Sequence, residues 1–321
     1  MKPDARRDPF APGSVSLRLY PHLELPADEI VSELCAQGEA ALAAGFDGVM
    51  TSEHHNGFAG YLPNPVQAAG WLLESMSSGW AAACPVLLTL RPPALVAEEV
   101  AWMAARFPGR VGVGVAAGSL DGDFAALGVS KAGLTARFVE GLAIVSGLLS
   151  GTAGALLQDD AALRRCRDHP VPVLSAANSR TAARRAAAGH VGLLFDSLAA
   201  PERCRELADA FRAAGGTGPV VVVRRVWLGA PPVERQDRQV DVYRGYAPAG
   251  AQAHWRGDQV LSGDDPSDLA RRVAETVATA GADAVNIRVH VPGLDPAEAR
   301  DQIAALSELI LPLRRALDSI A

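Results

Sequence analysis

Short apolar runs alternate with Ala-rich amphipathic stretches along nearly the whole chain, and this rhythm constrains the fold more than any single motif. Ser14 to Leu19, with its Ser-Val-Ser-Leu-Arg-Leu alternation, reads as a first strand, and Ala27 to Ala44 as a helix opened by Pro26 and closed by Gly45. Phe46 to Thr51 is a second apolar run. A helix then starts at Asn64-Pro65, with proline at a tolerated first-turn position, and reaches about Met76. The pattern repeats through Ala81 to Leu88, the helix Pro93 to Arg106, the Gly-rich run Arg110 to Val115 and the helix Phe138 to Leu149. In the second half, strands at Val171 to Leu174, His190 to Phe195, Pro219 to Leu228 and Ala284 to Val289 alternate with four more helices. These span Arg180 to Ala188, Pro201 to Ala214, Asp265 to Ala280 and a long closing stretch, Pro296 to Leu317.

Such alternation implies a parallel sheet with right-handed crossovers. Eight strands within 321 residues, with no dividing linker and no internal repeat, favour an α/β chain folded as a (β/α)8 TIM-type barrel over an open doubly wound sheet. Residues 1–13 are expected to form a loose tail and residues 14–321 a single domain. Ala230 to Ser262 is Pro-, Gly- and charge-rich without clean periodicity, so it is expected to be an insertion carrying a loop before the last βα unit.

Composition narrows the class of function. The net charge is −6 and no Lys/Arg-rich block stands out, which argues against a nucleic-acid partner. The four cysteines, Cys35, Cys84, Cys166 and Cys204, are widely spaced with no CxxC pair, as expected of reduced thiols in a cytoplasmic protein rather than of a disulfide framework or zinc site. The N-terminus is polar and Pro-broken, unlike a signal peptide, and no apolar run approaches the ~20 residues of a membrane span. The expectation is a soluble cytoplasmic globular protein.

In a barrel of this kind the chemistry sits at the C-terminal ends of the strands. Ser52-Glu53-His54-His55-Asn56 closes the second strand, and adjacent histidines on extended chain point to opposite sides, so one of them is expected to face the mouth. A histidine there suits acid–base work near neutral pH, although two surface-loop histidines are an equal reading. The triplet lacks the one-turn spacing of H-E-x-x-H, so no metal is expected. Gly109 to Gly118 lacks both G-x-G-x-x-G and a G-K-S/T ending, so its glycines fit a crowded barrel wall at least as well as a phosphate loop. Asp121-Gly122-Asp123-Phe124 falls in loop position just beyond. Leu174 to Thr181 joins a strand end to a helix start at Ser179, where free N–H groups and the helix dipole favour an anion. Asn178, Ser179, Arg180 and Thr181 add donors there, or else supply an ordinary N-cap. Arg224, Arg225 and Trp227 end or follow strand seven. Asn286, Arg288 and His290 share one side of the last strand, facing either a ligand or salt-bridge partners.

Two long stretches carry a resemblance: GFDGVMTSEHHNGFAGYLPNPVQAA, and ALVAEEVAWMAARFPGRVGVGVAAGSLDGDFAALG. Together with AGADAVNIRVHVPG and the closing LPLRRAL, they resemble the bacterial luciferase-like flavin-dependent monooxygenases from about Val15 to Leu317. The resemblance implies a barrel, usually a homodimer, that binds reduced FMN from a separate flavin reductase and activates oxygen to oxidise a small organic substrate. It assigns His54 the catalytic histidine, with Glu53 and His55 in support, and places Asp123 near the flavin ring. It also puts the FMN phosphate at Asn178, Ser179, Arg180 and Thr181, with Ala116 and Gly118 against the cofactor. The chain departs from luciferase at the end of strand four, where a reactive cysteine and a phosphate-gripping arginine are replaced by Ala116 and Ala117. Relatives in another branch use a deazaflavin coenzyme for hydride transfer, and Glu-His-His in place of the Asp-His common there favours FMN. A flavin-binding member without catalysis is a further alternative.

Overall fold

Eight parallel strands close on themselves in the computed structural model of the chain, which describes residues 6–56, 61–245, 252–255 and 260–319. They are β1 (Val15–Arg18), β2 (Gly48–Thr51), β3 (Trp80–Leu87), β4 (Val111–Ala116), β5 (Val173–Ala176), β6 (Gly192–Phe195), β7 (Val220–Leu228) and β9 (Ala284–Arg288). Closure comes from β1 beside β9, β9 beside β7, and β7 beside β6, with Leu193 opposite Val220 and Val221 opposite Ala284. Helices α1 (Ala27–Ala43), α2 (Pro65–Ser75), α3 (Pro93–Arg106), α5 (Leu134–Leu149), α7 (Arg180–Ala188), α8 (Pro201–Ala213) and α10 (Pro266–Ala280) form the crossovers. Short α4 (Asp121–Ala126) and α6 (Ala161–Arg165) lie between β4 and β5. The helix starts follow local rules: Pro65 opens α2 behind Asn64, whose Oδ1 accepts the N–H of Gln67 at 3.1 Å.

The predicted closed barrel is therefore present, with four local corrections. The stretch expected as a loop-bearing insertion holds a helix, α9 (Val233–Arg244), and a ninth strand, β8 (Val260–Gly263). This strand pairs with the distal half of β7, Arg225 to Leu228, continuing the edge that β6 leaves at Phe195. The element was missed because α9 buries Gln236, Gln239 and Tyr243, so its inward stripe is polar and gives no hydrophobic period. Residues 246–251 and 256–259 of that stretch lie outside the described residues, as do residues 57–60 of the strand-two motif. Second, Asp121 to Phe124 is not loop but the first turn of α4. Third, the closing helix is two, α11 (Pro296–Ala305) and α12 (Ser307–Asp318), turning at the buried Leu306; its backbone stays near helical values, so the sequence period runs through the turn unmarked.

The fourth correction concerns the tail, whose residues 1–5 lie outside the described residues. Residues 6–13 are not loose. Phe10 is fully buried and meets Trp80 edge-to-face at 5.4 Å between ring centroids, among Met50, Ala82, Val221 and Ala284. Arg7 N donates to Asp47 Oδ1 at 3.0 Å, Val15 N to Asp47 Oδ2 at 2.8 Å, and Arg314 completes the pairing of this buried carboxylate. Tail, first strand and final helix are thereby tied at the N-terminal end of the barrel. The glycines of β4 answer to this plug. A Cβ on Gly112 would stand 2.7 Å from the Phe10 ring, and one on Gly114 would stand 2.2 Å from Cys84 Sγ. Close neighbours inside the wall, not a ligand, account for the Gly-rich run.

Among the described residues no helix is long and apolar enough to cross a membrane, and no group of three or more His, Cys, Asp or Glu side chains is gathered as a metal would need.

Candidate active site

Strand β2 delivers Glu53, His54 and His55 to the mouth, and α4 brings Asp123 to them from across the β3–β4 edge. His54 Nδ1 lies 2.8 Å from Asp123 Oδ2, and His55 N donates to Asp123 Oδ1 at 2.7 Å. Asp123 is buried. Burial opposes its ionisation, but the hydrogen bonds from His54 and His55 outweigh that and hold its carboxyl below the usual aspartate range. An ionised Asp123 fixes the tautomer of His54: Nδ1 carries the hydrogen and Nε2 is the ring atom that can take or give a proton.

Glu53 and His55 form a separate pair. Glu53 Oε1 lies 2.8 Å from His55 Nε2, while Oε2 accepts the N–H of Leu87 at 2.8 Å, so both carboxylate oxygens are committed to bracing the ends of β2 and β3. Burial pushes the Glu53 carboxyl up, and these hydrogen bonds only partly offset it. The two histidines do diverge: His54 turns to Asp123 and an edge contact with Tyr61 at 4.4 Å, and His55 turns back to Glu53. The thiol closest to this chemistry, Cys84, is pushed up to about 12 by burial and is inert as a nucleophile at neutral pH.

At the end of β4, Ala116, Ala117 and Gly118 are half-buried, and Ala117 O accepts from Thr89 Oγ1 at 2.6 Å. Gly118 has φ +79°, and a Cβ there would stand 3.3 Å from the Phe124 ring. The expected anion residues divide. Ser179 is the N-cap of α7, its Oγ accepting the N–H of Ala182 at 3.2 Å. Arg180 reaches outward to Glu206 at 3.8 Å, and Thr181 is exposed. Asn178 alone of the four lines a cavity of about 320 Å³ open to solvent, with Ala177, Phe195, Asp196, Ala199, Arg203, Leu207, His254 and Trp255. Arg203 and His254 are the donors sequence reasoning missed. Arg203 stands in the first turn of α8, where its Nη1 donates to Glu206 Oε2 at 2.7 Å, the carboxylate that Arg180 also approaches.

Alternation along β7 separates its two arginines. Arg224 turns outward and donates to the carbonyls of Asp196, Val223 and Ala199, while Trp227 joins the core packed against the helices. Arg225 and Arg288, paired across β7 and β9, stand at the mouth. The salt bridges offered as one explanation are absent: among the described residues no carboxylate pairs with Arg224, Arg225 or Arg288. Instead Arg225 Nη2 donates to Gln239 Oε1 at 2.9 Å, and Arg288 Nη2 donates to the Tyr243 hydroxyl at 2.9 Å, both acceptors carried on α9. Tyr243 and Tyr61 share a hydroxyl contact of 3.1 Å, which joins this cluster to His54. Asn286, on the same side of β9 as Arg288, accepts from Arg18 at 2.8 Å, and His290 stacks on Tyr20.

A family model described as luciferase-like monooxygenase matches residues 18–311. No curated protein sequence matches the chain. Among solved structures, the monooxygenase RslO1 from Streptomyces bottropensis is 20% identical, with 93% of this chain and 99% of that chain covered and a TM-score of 0.73. The oxygenating constituent of 3,6-diketocamphane monooxygenase from Pseudomonas putida, solved with FMN, is 16% identical, with 94% and 98% covered and a TM-score of 0.74. An F420-dependent secondary alcohol dehydrogenase is 18% identical, with 94% and 98% covered and a TM-score of 0.71. At these identities the likeness is one of fold.

Proposed function

The chain belongs to the luciferase-like monooxygenase family, and from that premise we propose that it is a monooxygenase that uses reduced FMN, delivered by a separate flavin reductase, and oxygen to oxidise a small organic substrate. The observation that carries this reading is the His54–Asp123 pair held at the end of β2. The strand ends fit the cofactor. Arg203, paired with Glu206 through Nη1, keeps a buried Nε with no hydrogen-bond partner among the described residues, and with Asn178 and His254 it makes the donor set proposed for the FMN phosphate. At the end of β4, Ala116, Ala117 and Gly118 present only small side chains, half-buried, on the side proposed for the flavin ring. Arg203 then takes the task of the arginine that family members carry where this chain has Ala117.

When bound, the reduced flavin supplies the electrons and the centre at which oxygen is activated. The protein binds, orients and excludes water. Ionised Asp123 orients His54 through Nδ1, so that Nε2 can pass a proton to or from the oxygenated substrate. Glu53 and His55 hold that strand end in place, and α9 covers the mouth with Gln239 and Tyr243.

Anaerobic titration with reduced FMN, with reduced deazaflavin in parallel, followed by admission of oxygen, tests the reading. Saturable FMN binding with oxygen uptake supports it. Preference for deazaflavin, with hydride exchange and no oxygen uptake, moves the chain to the hydride-transfer branch, and binding of neither makes it a member without flavin chemistry.

A further inference from the structure

Two guanidinium groups buried at a barrel mouth with no carboxylate partner among the described residues are costly, because each charge has left water for partners that do not neutralise it. Arg225 and Arg288 are 2% and 4% exposed, and face each other across paired strands. The buried carboxylates of the His54 cluster are already engaged: Asp123 holds His54, and Glu53 holds His55 and the N–H of Leu87. Arg225 Nε has no hydrogen-bond partner among the described residues. Burial, and then the charge of Arg288 beside it, pull the Arg225 pKa down to about 10; burial opposes the charge of Arg288 too, but Tyr20, Tyr243 and Tyr61 outweigh it and raise that group, so the uncompensated charge is at Arg225.

The side-chain acceptors that serve the two arginines are neutral and come from one helix, while Arg288 Nε donates to His290 O at 3.2 Å and its guanidinium lies over the Tyr20 ring. Gln239 and Tyr243 lie on the inward stripe of α9, whereas Val233 and Val242 of the same helix are more than half exposed. A helix that buries its polar side chains and exposes its valines is not held down by hydrophobic burial, so it is a cover that can be lifted. Tyr243 also reaches Tyr61, which lies against His54, so the arginine pair and the proposed acid–base group share one continuous surface.

We propose that Arg225 and Arg288 form a recognition site for an oxyanion of the organic substrate, a carboxylate in the first instance, and that Gln239 and Tyr243 occupy its donors until the substrate displaces them. The proposal names the substrate class of the flavin site and rests on that reading only for the reaction that follows binding. An oxyanion seated there receives charge-assisted bonds from both guanidinium groups and holds the rest of the molecule beside His54.

Binding alone decides it, without flavin. The full chain is titrated calorimetrically with octanoate, octanesulfonate and 1-octanol, which share a chain length and differ in charge. Saturable binding of octanoate, with 1-octanol at least about tenfold weaker, is expected. Arg225→Gln weakens octanoate about tenfold or more. Since Arg288→Gln can fail by misfolding, Gln239→Ala and Tyr243→Phe give the second arm: by removing competing acceptors they tighten octanoate, which a merely structural role for α9 does not predict. Equal binding of octanol and octanoate, binding of neither anion, or indifference to Arg225→Gln overturns the proposal. Reduced FMN and riboflavin are titrated against wild type and Arg225→Gln to fix the source of the anion. Loss of FMN binding with riboflavin unchanged would assign the arginines to the cofactor phosphate and also overturn it. FMN binding unchanged, with octanoate lost, supports a substrate site. A chain that binds octanoate but no flavin keeps the anion site and loses the flavin reading.

Discussion

His54 Nδ1 and Asp123 Oδ2 lie 2.8 Å apart although 69 residues separate them in the chain. The contact joins the end of β2 to the first turn of α4, and Asp123 accepts from the His55 backbone with its other oxygen. One buried carboxylate thus sets both the direction and the tautomer of the histidine.

Replacing that histidine tests its role. His54→Ala is expected to lower turnover with reduced FMN more than ~10²-fold while leaving flavin binding in place. Steady-state turnover together with an anaerobic flavin titration checks both halves, and near-normal turnover would remove His54 from acid–base work.

The pair is expected to act as a unit. Asp123→Asn lowers turnover on its own, but added to His54→Ala it costs little more, because the carboxylate works through the imidazole. A double-mutant cycle in kcat measures this; strictly multiplicative losses would mean that Asp123 does something apart from holding His54.

Glu53 gives a pH dependence of stability with a definite sign. Its carboxyl is raised by burial, so the folded chain binds the proton more tightly than the unfolded one, and stability falls as pH rises from the ordinary glutamate value of about 4.3 through the raised value. Glu53→Gln removes that slope. Urea unfolding of both chains at a series of pH values above about 4 should show wild type losing stability relative to the variant as pH rises.

The phosphate site predicts a difference between two arginines. Arg203→Ala should weaken FMN by roughly tenfold or more and riboflavin far less, and should do so more than Arg180→Ala: both side chains reach Glu206, but of the two only Arg203 lines the cavity with Asn178. Parallel titrations with the two flavins read this out, and equal loss from both variants would return the phosphate to the outer face of α7.

The N-terminal plug should be worth a whole core residue. Phe10→Ala empties a fully enclosed site against Trp80 and is expected to cost about 3–5 kcal/mol in denaturant unfolding. A loss near zero would mean that residues 6–13 are held by Arg7 and Asp47 alone.

The closed barrel was legible because it is written in local periods. Runs such as Ala81 to Leu88 and helices such as Pro93 to Arg106 need only their own residues to be recognised, and eight of each in alternation leave few other topologies. The Glu-His-His triplet was legible too, because strand ends are where barrels place chemistry. What no period records is which distant side chains converge. Asp123 read as loop until α4 carried it to His54, and Phe10 read as tail until the barrel closed around it. Arg225 and Arg288 read as candidates for salt bridges until the sheet set them side by side with neutral partners, Gln239 and Tyr243 among them, to answer them. Spacing along the chain determines secondary structure, since hydrogen bonds and amphipathic faces are local. Charge compensation, tautomer and access depend on separations of a few ångström between residues far apart in the chain, and only the closed tertiary structure decides those.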